Sequence, residues 1–240
     1  MKVSNEELDE YIKGFNKQYS LKKSINAVIC FLIFMCGLTG VLYSIFIFHN
    51  NIFNRLRYLT FLGTIYTSII SLIFGIISLN EEKNQTEVTN RKAYFLRLSS
   101  ATTELVIFCV VMVGLSPLVP DNPDITSYPG IMMHLAIPLL TVLSFIFNDP
   151  PIGKLKIYEP LNGLAFVFIY AIIMTILFAT GELSYKLAPY SFFDFKNTSI
   201  GYKLSCTLVI FTFGYLISRF LIFLNSKLSW IWFSHLEQRR

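Results

Sequence analysis

The chain of 240 residues has little charge, little histidine and little cysteine. Asp, Glu, Lys and Arg together make up 15% of it, against about 25% in a typical soluble domain. Its three His and four Cys show neither a CxxC pair nor the spacing of a metal site. A Gly-rich phosphate loop, a GxSxG elbow and an HExxH helix are also missing. The sequence therefore predicts no metal and no cofactor.

Apolar residues dominate instead. Hydrophobic side chains make up 54% of the chain, with 23 Phe and 13 Tyr, and the mean hydropathy is +0.56. A soluble domain of this length could not bury so much apolar surface, so a lipid bilayer must solvate much of it. The apolar residues form six segments of about 20 residues, the length that a helix needs to cross a bilayer. They are residues 24–48, 58–79, 98–119, 131–147, 162–180 and 204–224.

These segments lack the alternation of apolar and polar residues that is typical of a membrane β-barrel. The sequence therefore predicts an all-α polytopic membrane protein, a bundle of six transmembrane helices. That class excludes a soluble enzyme, a disordered chain and a nucleic-acid-binding module. Three parts are expected: a cytoplasmic N-terminal segment (1–23), the transmembrane domain (24–225) and a cytoplasmic C-terminal tail (226–240).

The basic residues predict the orientation. Fourteen of the 20 Lys and Arg lie in the N-terminal segment, the second and fourth loops and the C-terminal tail, whereas five lie in the other loops. Cytoplasmic segments are enriched in Lys and Arg, so both termini are expected in the cytoplasm. The first 23 residues have no apolar core and do not resemble a cleaved signal peptide. A composition rich in Ile, Phe, Lys and Asn fits an AT-rich bacterial gene, and hence the plasma membrane.

Three ionisable residues fall inside the predicted spans, where a charge is costly and therefore a candidate for function. Two of them, Glu104 and Arg219, are each expected about 8–9 Å from the cytoplasmic end of their span. A carboxylate and a guanidinium at one depth offset each other's desolvation, so the sequence predicts a structural ion pair between them. A role of Glu104 in transport or proton relay is the alternative.

The third residue, His134, is expected within about 5 Å of the outer boundary of the fourth span, and Thr60 at a similar depth in the second. Pro138 lies four residues after His134 and loosens the helix beside the imidazole, because it donates no hydrogen bond to the carbonyl of residue 134. A neutral histidine there is suited to act as a general base, and a threonine hydroxyl to act as its nucleophile. The alternatives are a histidine hydrogen-bonded to a neighbouring helix and a threonine bonded to its own backbone.

Three segments are similar to a known family. RYLTFLGTIYTSIISLIFGI resembles the second span, and MMHLAIPLL the fourth span, of the androgen-induced and androgen-dependent membrane proteins; PYSFFDF (189–195) resembles the segment before their last span. That family consists of multi-pass threonine hydrolases that cleave fatty acid esters of hydroxy fatty acids. The resemblance covers most of residues 25–225, and it implies that Thr60 is the nucleophile and His134 the catalytic histidine.

The sequence thus predicts a hydrolase of membrane lipid esters, with lipids and no nucleic acid as partners and no particular oligomeric state. Tyr66, Tyr190 and Phe193 are expected to bind substrate, and Tyr66, Tyr190 or Asn162 to stabilise the oxyanion. A second hypothesis is a non-enzymatic transporter or lipid-binding protein built around the Glu104/Arg219 pair. A third is a scaffold subunit whose Phe-rich helices pack against a partner.

Overall fold

The computed structural model describes residues 5–47, 55–84, 90–115, 123–151, 153, 155–183 and 198–237, and no strand occurs within these ranges. Six long helices make up the fold. They are α1 (Asn5–Ile47), α2 (Leu59–Asn84), α3 (Arg91–Phe108, continued by a π-helical turn at Cys109–Leu115), α4 (Tyr128–Asn148), α5 (a 3₁₀ turn at Glu159–Leu164, then Ala165–Ala179) and α6 (Ile200–Glu237).

All six helices contain a stretch that is long and apolar enough to cross a membrane, which confirms the predicted class and the number of spans. The third span differs most from the prediction, because it begins at Arg91 and not near residue 98. Asn90 starts this helix: its side chain accepts hydrogen bonds from the backbone N–H groups of Lys92 and Ala93, both at 3.0 Å. The sequence places Arg97 in the loop before this span. In the structure Arg97 lies inside the bundle, where its charge is paired with that of Asp149.

The helices run alternately up and down. Lys23, near the start of the apolar span of α1 (Tyr19–Phe46), contacts Glu81 near the end of α2. Gly37, further along α1, faces Thr64 near the start of α2. We call the end that holds Lys23 and Glu81 the N-terminal end of the bundle, and the end where α2 begins the far end. Within the described residues, α3 and α5 rise from the N-terminal end, while α4 and α6 return to it.

Small residues bring the helices close together. A Cβ atom at Gly37 of α1 would overlap the Ser68 hydroxyl of α2, and one at Gly163 would overlap the Ser218 hydroxyl of α6. Helices in lipid have no hydrophobic force between them, so close backbone approach supplies much of their attraction. These two glycines therefore set the distance between α1 and α2 and between the start of α5 and α6.

The bundle is apolar outside and mixed polar and apolar inside. Its exposed large side chains are mostly Leu, Ile and Phe, as expected of a surface in contact with lipid. Its buried residues include nearly as many polar as apolar ones. The main apolar cluster lies between α3, α4 and α6 and includes Tyr94, Leu98, Phe145 and Leu221. Polar residues fill much of the space between α1, α2, α3 and α4, and this interior contains the candidate site.

Candidate functional site

Thr60 is the second residue of α2 and lies half-buried at the far end of the bundle. The helix buries Thr64, Thr67 and Ser71 along the side that faces the interior. With 3.6 residues per turn, Thr60 falls on the same side, one turn before Thr64. A polar stripe of hydroxyl groups therefore runs along α2 from the far end towards the middle, and Thr60 begins it.

His134 is buried, with 9% of its surface exposed, and it lies in a π-helical turn of α4, Met132–Ala136. This turn directly precedes Pro138, so the loosening of the helix expected from that proline is present. Helix α4 begins at Tyr128, earlier than predicted, because Ser127 caps it and accepts a hydrogen bond from Gly130 N–H at 3.4 Å. His134 consequently lies about 9 Å along the helix from Tyr128 and not about 5 Å.

The elements that carry Thr60 and His134 touch each other. Helix α2 packs against the π-helical turn Met132–Ala136, and α1 packs against the same turn. A Cβ atom at Gly40 of α1 would lie 3.5 Å from the Cβ of Met132 and 3.6 Å from the side chain of Met133. The structure therefore joins α1, α2 and the histidine-bearing turn at the far end of the bundle.

An apolar groove of about 400 Å³ opens between α2 and α5. Tyr66, one of the expected substrate-binding residues, lines this groove and stacks on Phe166 with the two ring centroids 4.3 Å apart. The rest of the lining is almost entirely Leu and Ile, together with Met174 and Tyr170. The volume is in the range of small-molecule pockets, and the wall chemistry suits a hydrocarbon chain.

The other expected substrate residues are not near this groove or cannot be placed. Asn162 was one candidate for the oxyanion donor, but it lies in the 3₁₀ turn that begins α5 at the N-terminal end, away from Thr60. Its amide donates a hydrogen bond to the carbonyl of Glu159 at 2.8 Å, so it stabilises its own turn. Tyr190 and Phe193 lie outside the described residues.

The predicted ion pair between Glu104 and Arg219 is wrong. Arg219 is exposed on the outer surface of α6, whereas Glu104 is fully buried and its carboxyl group lies beside the hydroxyl of Thr67. The neighbouring residue Ser218 faces the interior instead, where its hydroxyl lies 3.0 Å from that of Thr102. Successive helical residues point about 100° apart, so α6 turns Arg219 outwards when it turns Ser218 inwards.

The depth argument for that pair also fails. Because α3 begins at Arg91, Glu104 lies about 20 Å along the helix from the N-terminal end and only about 12 Å from Met112. The sequence analysis had placed it on the same level as Arg219, near the cytoplasmic ends. Glu104 instead lies in the half of the bundle that also contains Thr60 and His134.

Near the N-terminal end the structure contains buried ion pairs that the sequence analysis missed. Lys23 Nζ lies 2.5 Å from Glu81 Oε2, and Arg97 Nε lies 2.9 Å from Asp149 Oδ2. Burial raises the pKa of the Asp149 carboxyl, and the guanidinium of Arg97 opposes that shift. The sequence shows only that acidic and basic residues lie at the ends of predicted spans. It does not specify which of them come into contact.

Hydrogen bonds join these pairs across four helices. Arg97 Nη2 donates to Ser144 Oγ at 2.7 Å, Ser144 donates to Asn26 at 3.2 Å, and Asn26 donates to Ser78 at 2.8 Å. The guanidinium also lies over the ring of Phe74, 5.4 Å from its centroid. We call this network the paired cluster; its members are Lys23, Asn26, Ser78, Glu81, Arg97, Ser144 and Asp149.

Towards the far end lies a second polar group, which we call the Glu104 cluster: Gly63, Thr67, Ser100, Thr103 and Glu104. Ser100 donates a hydrogen bond to Thr67 Oγ1 at 3.1 Å, and the Thr67 side chain lies beside the Glu104 carboxylate. A Cβ atom at Gly63 would lie 2.7 Å from Ile107 Cδ1 and 3.2 Å from the methyl carbon Cγ2 of Thr103. The missing side chain of Gly63 thus lets α2 approach α3 closely beside Glu104.

Comparisons with known protein families, curated proteins and solved structures each find no match for this chain. The roles of Thr60, His134 and the Glu104 cluster must therefore be inferred from their chemistry.

Proposed function

We propose that the protein is an intramembrane hydrolase of lipid esters, with Thr60 as the nucleophile and His134 as the general base. The observation that carries this proposal is the packing of α2 against the π-helical turn that buries His134. Helical π-turns often occur at functional sites, because they turn one side chain away from the regular helical direction. The resemblance of the same two segments to membrane threonine hydrolases supports the assignment.

The reaction would proceed through an acyl-enzyme. His134 accepts the hydroxyl proton of Thr60 while Oγ1 attacks the ester carbonyl carbon, and it then gives that proton to the departing alcohol. An ester of Thr60 remains. Water attacks this ester as His134 removes its proton, and the bond between Oγ1 and the acyl carbon breaks, so that the fatty acid leaves and Thr60 regains a proton. Two groups suffice for this sequence, and no metal or cofactor takes part.

The apolar groove between α2 and α5 would hold the acyl chain of the substrate. Its residues on α2, which include Leu62 and Tyr66, lie on the side of that helix opposite Thr60, because successive helical residues point about 100° apart. The acyl chain would therefore reach the hydroxyl around the start of α2, where Leu56 also lines the groove. The groove also faces the lipid, because the neighbouring residues Ile69 and Ile173 are exposed. A lipid ester could therefore enter it sideways from the membrane without crossing water.

Labelling by a fluorophosphonate probe, together with turnover of a fatty acid ester, tests the proposal on the full chain in detergent. Thr60→Ala is expected to abolish labelling and to lower kcat by about 10³-fold or more, and His134→Gln to lower kcat similarly. Thr60→Ser is expected to retain labelling, because it keeps the hydroxyl.

Thr180→Ala is the matched control. Thr180 ends α5 at the far end of the bundle, and its hydroxyl donates only to the carbonyls of Ile176 and Leu177. This variant should keep both labelling and turnover. Labelling that persists undiminished in Thr60→Ala, in protein that melts like the wild type, would contradict the role of Thr60.

The non-enzymatic alternative, a transporter or lipid-binding protein, was motivated by an ion pair between Glu104 and Arg219. The structure does not contain that pair, so nothing specific now favours the alternative over the hydrolase. Glu104 has no assigned role in the Thr60 chemistry.

We further infer that both termini face the cytoplasm and that the membrane is the plasma membrane. The distribution of Lys and Arg between the loops supports this orientation. Single cysteines introduced as Ser4→Cys and Ser184→Cys test it with a membrane-impermeant maleimide. In intact cells Ser184→Cys should react, while Ser4→Cys should react only after lysis. The opposite pattern would reverse the orientation.

A further inference from the structure

Arg219 is a cation on the outer surface of a membrane span. It is exposed on α6, about 13 Å along the helix from the end of the span at Leu228. The exposed residues around it on this helix are apolar: Leu216, Phe220 and Phe223. None of the acidic side chains in the described part of the chain pairs with it. A cation in contact with lipid is costly, so an anion from outside the protein is expected beside Arg219.

The connection between α4 and α5 brings a second cation towards Arg219. Tyr215 lies one turn before Arg219 on the same side of α6, and its hydroxyl donates a hydrogen bond to the carbonyl of Ile157 at 2.9 Å. Lys156 precedes Ile157 in this connection and is exposed, with Nζ 5.7 Å from the centroid of the Tyr158 ring. The two cations thus belong to neighbouring segments that meet at Tyr215.

The acid of this region does not neutralise both cations. Glu159 forms an ion pair with Arg91 of α3, and its other carboxylate oxygen accepts a hydrogen bond from the backbone N–H of Lys156 at 2.6 Å. Three cationic side chains therefore surround a single carboxylate, which leaves the region positive. A zwitterionic lipid would bring its own cation here, whereas an anionic lipid brings none, so the charge favours an anionic head group.

Apolar surface continues from the two cations towards the far end. Helix α6 packs tightly against the start of α5, because Gly214 leaves room for Leu164. Beyond that contact none of residues 200–213 is buried. The ring of Phe211 meets that of Phe168 on α5 edge to face, with the centroids 5.6 Å apart. A positive region therefore borders a long apolar surface, which matches the head group and acyl chains of a phospholipid.

We propose that Arg219 and Lys156 bind the phosphate group of an anionic phospholipid, whose acyl chains lie on the outer surface of α5 and α6. The guanidinium donates paired hydrogen bonds to phosphate oxygens, and the ammonium group adds a second positive charge. Basic pockets between membrane helices are a known type of site for anionic head groups. The proposal does not depend on the hydrolase chemistry, because Thr60 and His134 lie towards the other end of the bundle.

Thermal unfolding of the full chain in dodecyl maltoside tests the site. Dioleoylphosphatidylglycerol should raise the Tm of the wild type by about 3–6 °C once it exceeds its dissociation constant about tenfold. Dioleoylphosphatidylcholine at the same concentration should raise it by less than about 1 °C. Native mass spectrometry measures the affinity for phosphatidylglycerol directly. Arg219→Gln should weaken this binding at least tenfold, and Lys156→Gln about fivefold.

Two controls separate the site from general effects of charge and of phosphate. Lys83→Gln removes a cation at the end of α2, a helix that packs against α1 and α3, and should keep the full lipid effect. Inorganic phosphate at the same concentration should leave the Tm unchanged, because it has no acyl chains.

Three results would overturn the proposal. The first is an equal rise in Tm with both lipids. The second is an equal rise with inorganic phosphate, which would mean that the site takes a free anion and not a lipid. The third is a phosphatidylglycerol effect that survives in a folded double variant, Arg219→Gln with Lys156→Gln.

Discussion

The paired cluster and the Glu104 cluster lie in the same polar interior, but they satisfy their charges in different ways. In the paired cluster, Arg97 meets Asp149 at 2.9 Å and Lys23 meets Glu81 at 2.5 Å, while serine and asparagine side chains take up further hydrogen bonds. In the Glu104 cluster a fully buried carboxyl group lies beside the Thr67 hydroxyl, and none of the cationic side chains that the structure describes pairs with it.

The comparison shows that burial of a polar residue in a membrane bundle does not by itself indicate what the residue does. A charge whose partner is supplied by a neighbouring helix fixes the packing of those helices, and removing the partner harms the fold. A charge without a partner costs stability, so it persists only where it serves another purpose. Substitutions in the two clusters should therefore change stability in opposite directions.

The largest effect is expected from Arg97→Met. This substitution leaves the carboxylate of Asp149 buried without its counter-charge, and it also removes the donor to Ser144. The free energy of unfolding should fall by about 3–5 kcal/mol. Unfolding in detergent, followed by circular dichroism during titration with a denaturing detergent, measures the change.

Arg219→Met is the control for Arg97→Met, because it makes the same chemical change on the exposed side of α6. It should change the free energy of unfolding by less than about 1 kcal/mol. A double variant, Arg97→Met with Asp149→Leu, should recover much of the lost stability, since it removes both charges. Equal losses for Arg97→Met and Arg219→Met would mean that Arg97 is not paired in the protein.

An effect of the opposite sign is expected from Glu104→Gln. The amide costs less to bury than the carboxylate, and it is able to donate to the neighbouring hydroxyls, so the free energy of unfolding should rise by about 1–2 kcal/mol. Thermal melting of the variant and the wild type in detergent measures this. A marked decrease would show that Glu104 holds the bundle together in the way that Arg97 does.

The smallest effects are expected from two adjacent threonines on α3. Thr102→Val deprives the buried Ser218 hydroxyl of its partner at 3.0 Å, and it should lower the free energy of unfolding by about 1–2 kcal/mol. Thr103→Val removes a hydroxyl that has no hydrogen bond, so it should be nearly neutral. Melting curves of the two variants, recorded side by side, test the contrast. Equal losses would mean that the Thr103 hydroxyl has a partner of its own in the protein.

The sequence predicted the six helices and their approximate positions because the length and apolarity of a span are local properties. It also predicted the loosened helix beside His134, since the effect of Pro138 on the carbonyl four residues earlier is local too. The start of α3 was predicted about seven residues too late, because Arg91 and Arg97 look like loop residues until their partners, Glu159 and Asp149, are known.

The pairing of charges could not be predicted in the same way. Glu104 and Arg219 were matched by an estimate of depth, which failed once α3 began earlier and α6 turned Ser218 inwards. The true partner of Arg97 is Asp149, which follows α4 and is 52 positions away in the chain. Nothing in either local segment specifies that contact, because it depends on how two helices rotate and tilt against each other.

The amino-acid sequence by itself thus determined that the chain is a six-helix membrane bundle, because the cost of exposing backbone and charge to lipid acts on each segment separately. Tertiary structure alone decided which polar residues became partners and which were left without one. Close packing through Gly37, Gly63 and Gly163 brings particular faces together, and only that contact distinguishes a buried ion pair from a buried acid without a counter-charge.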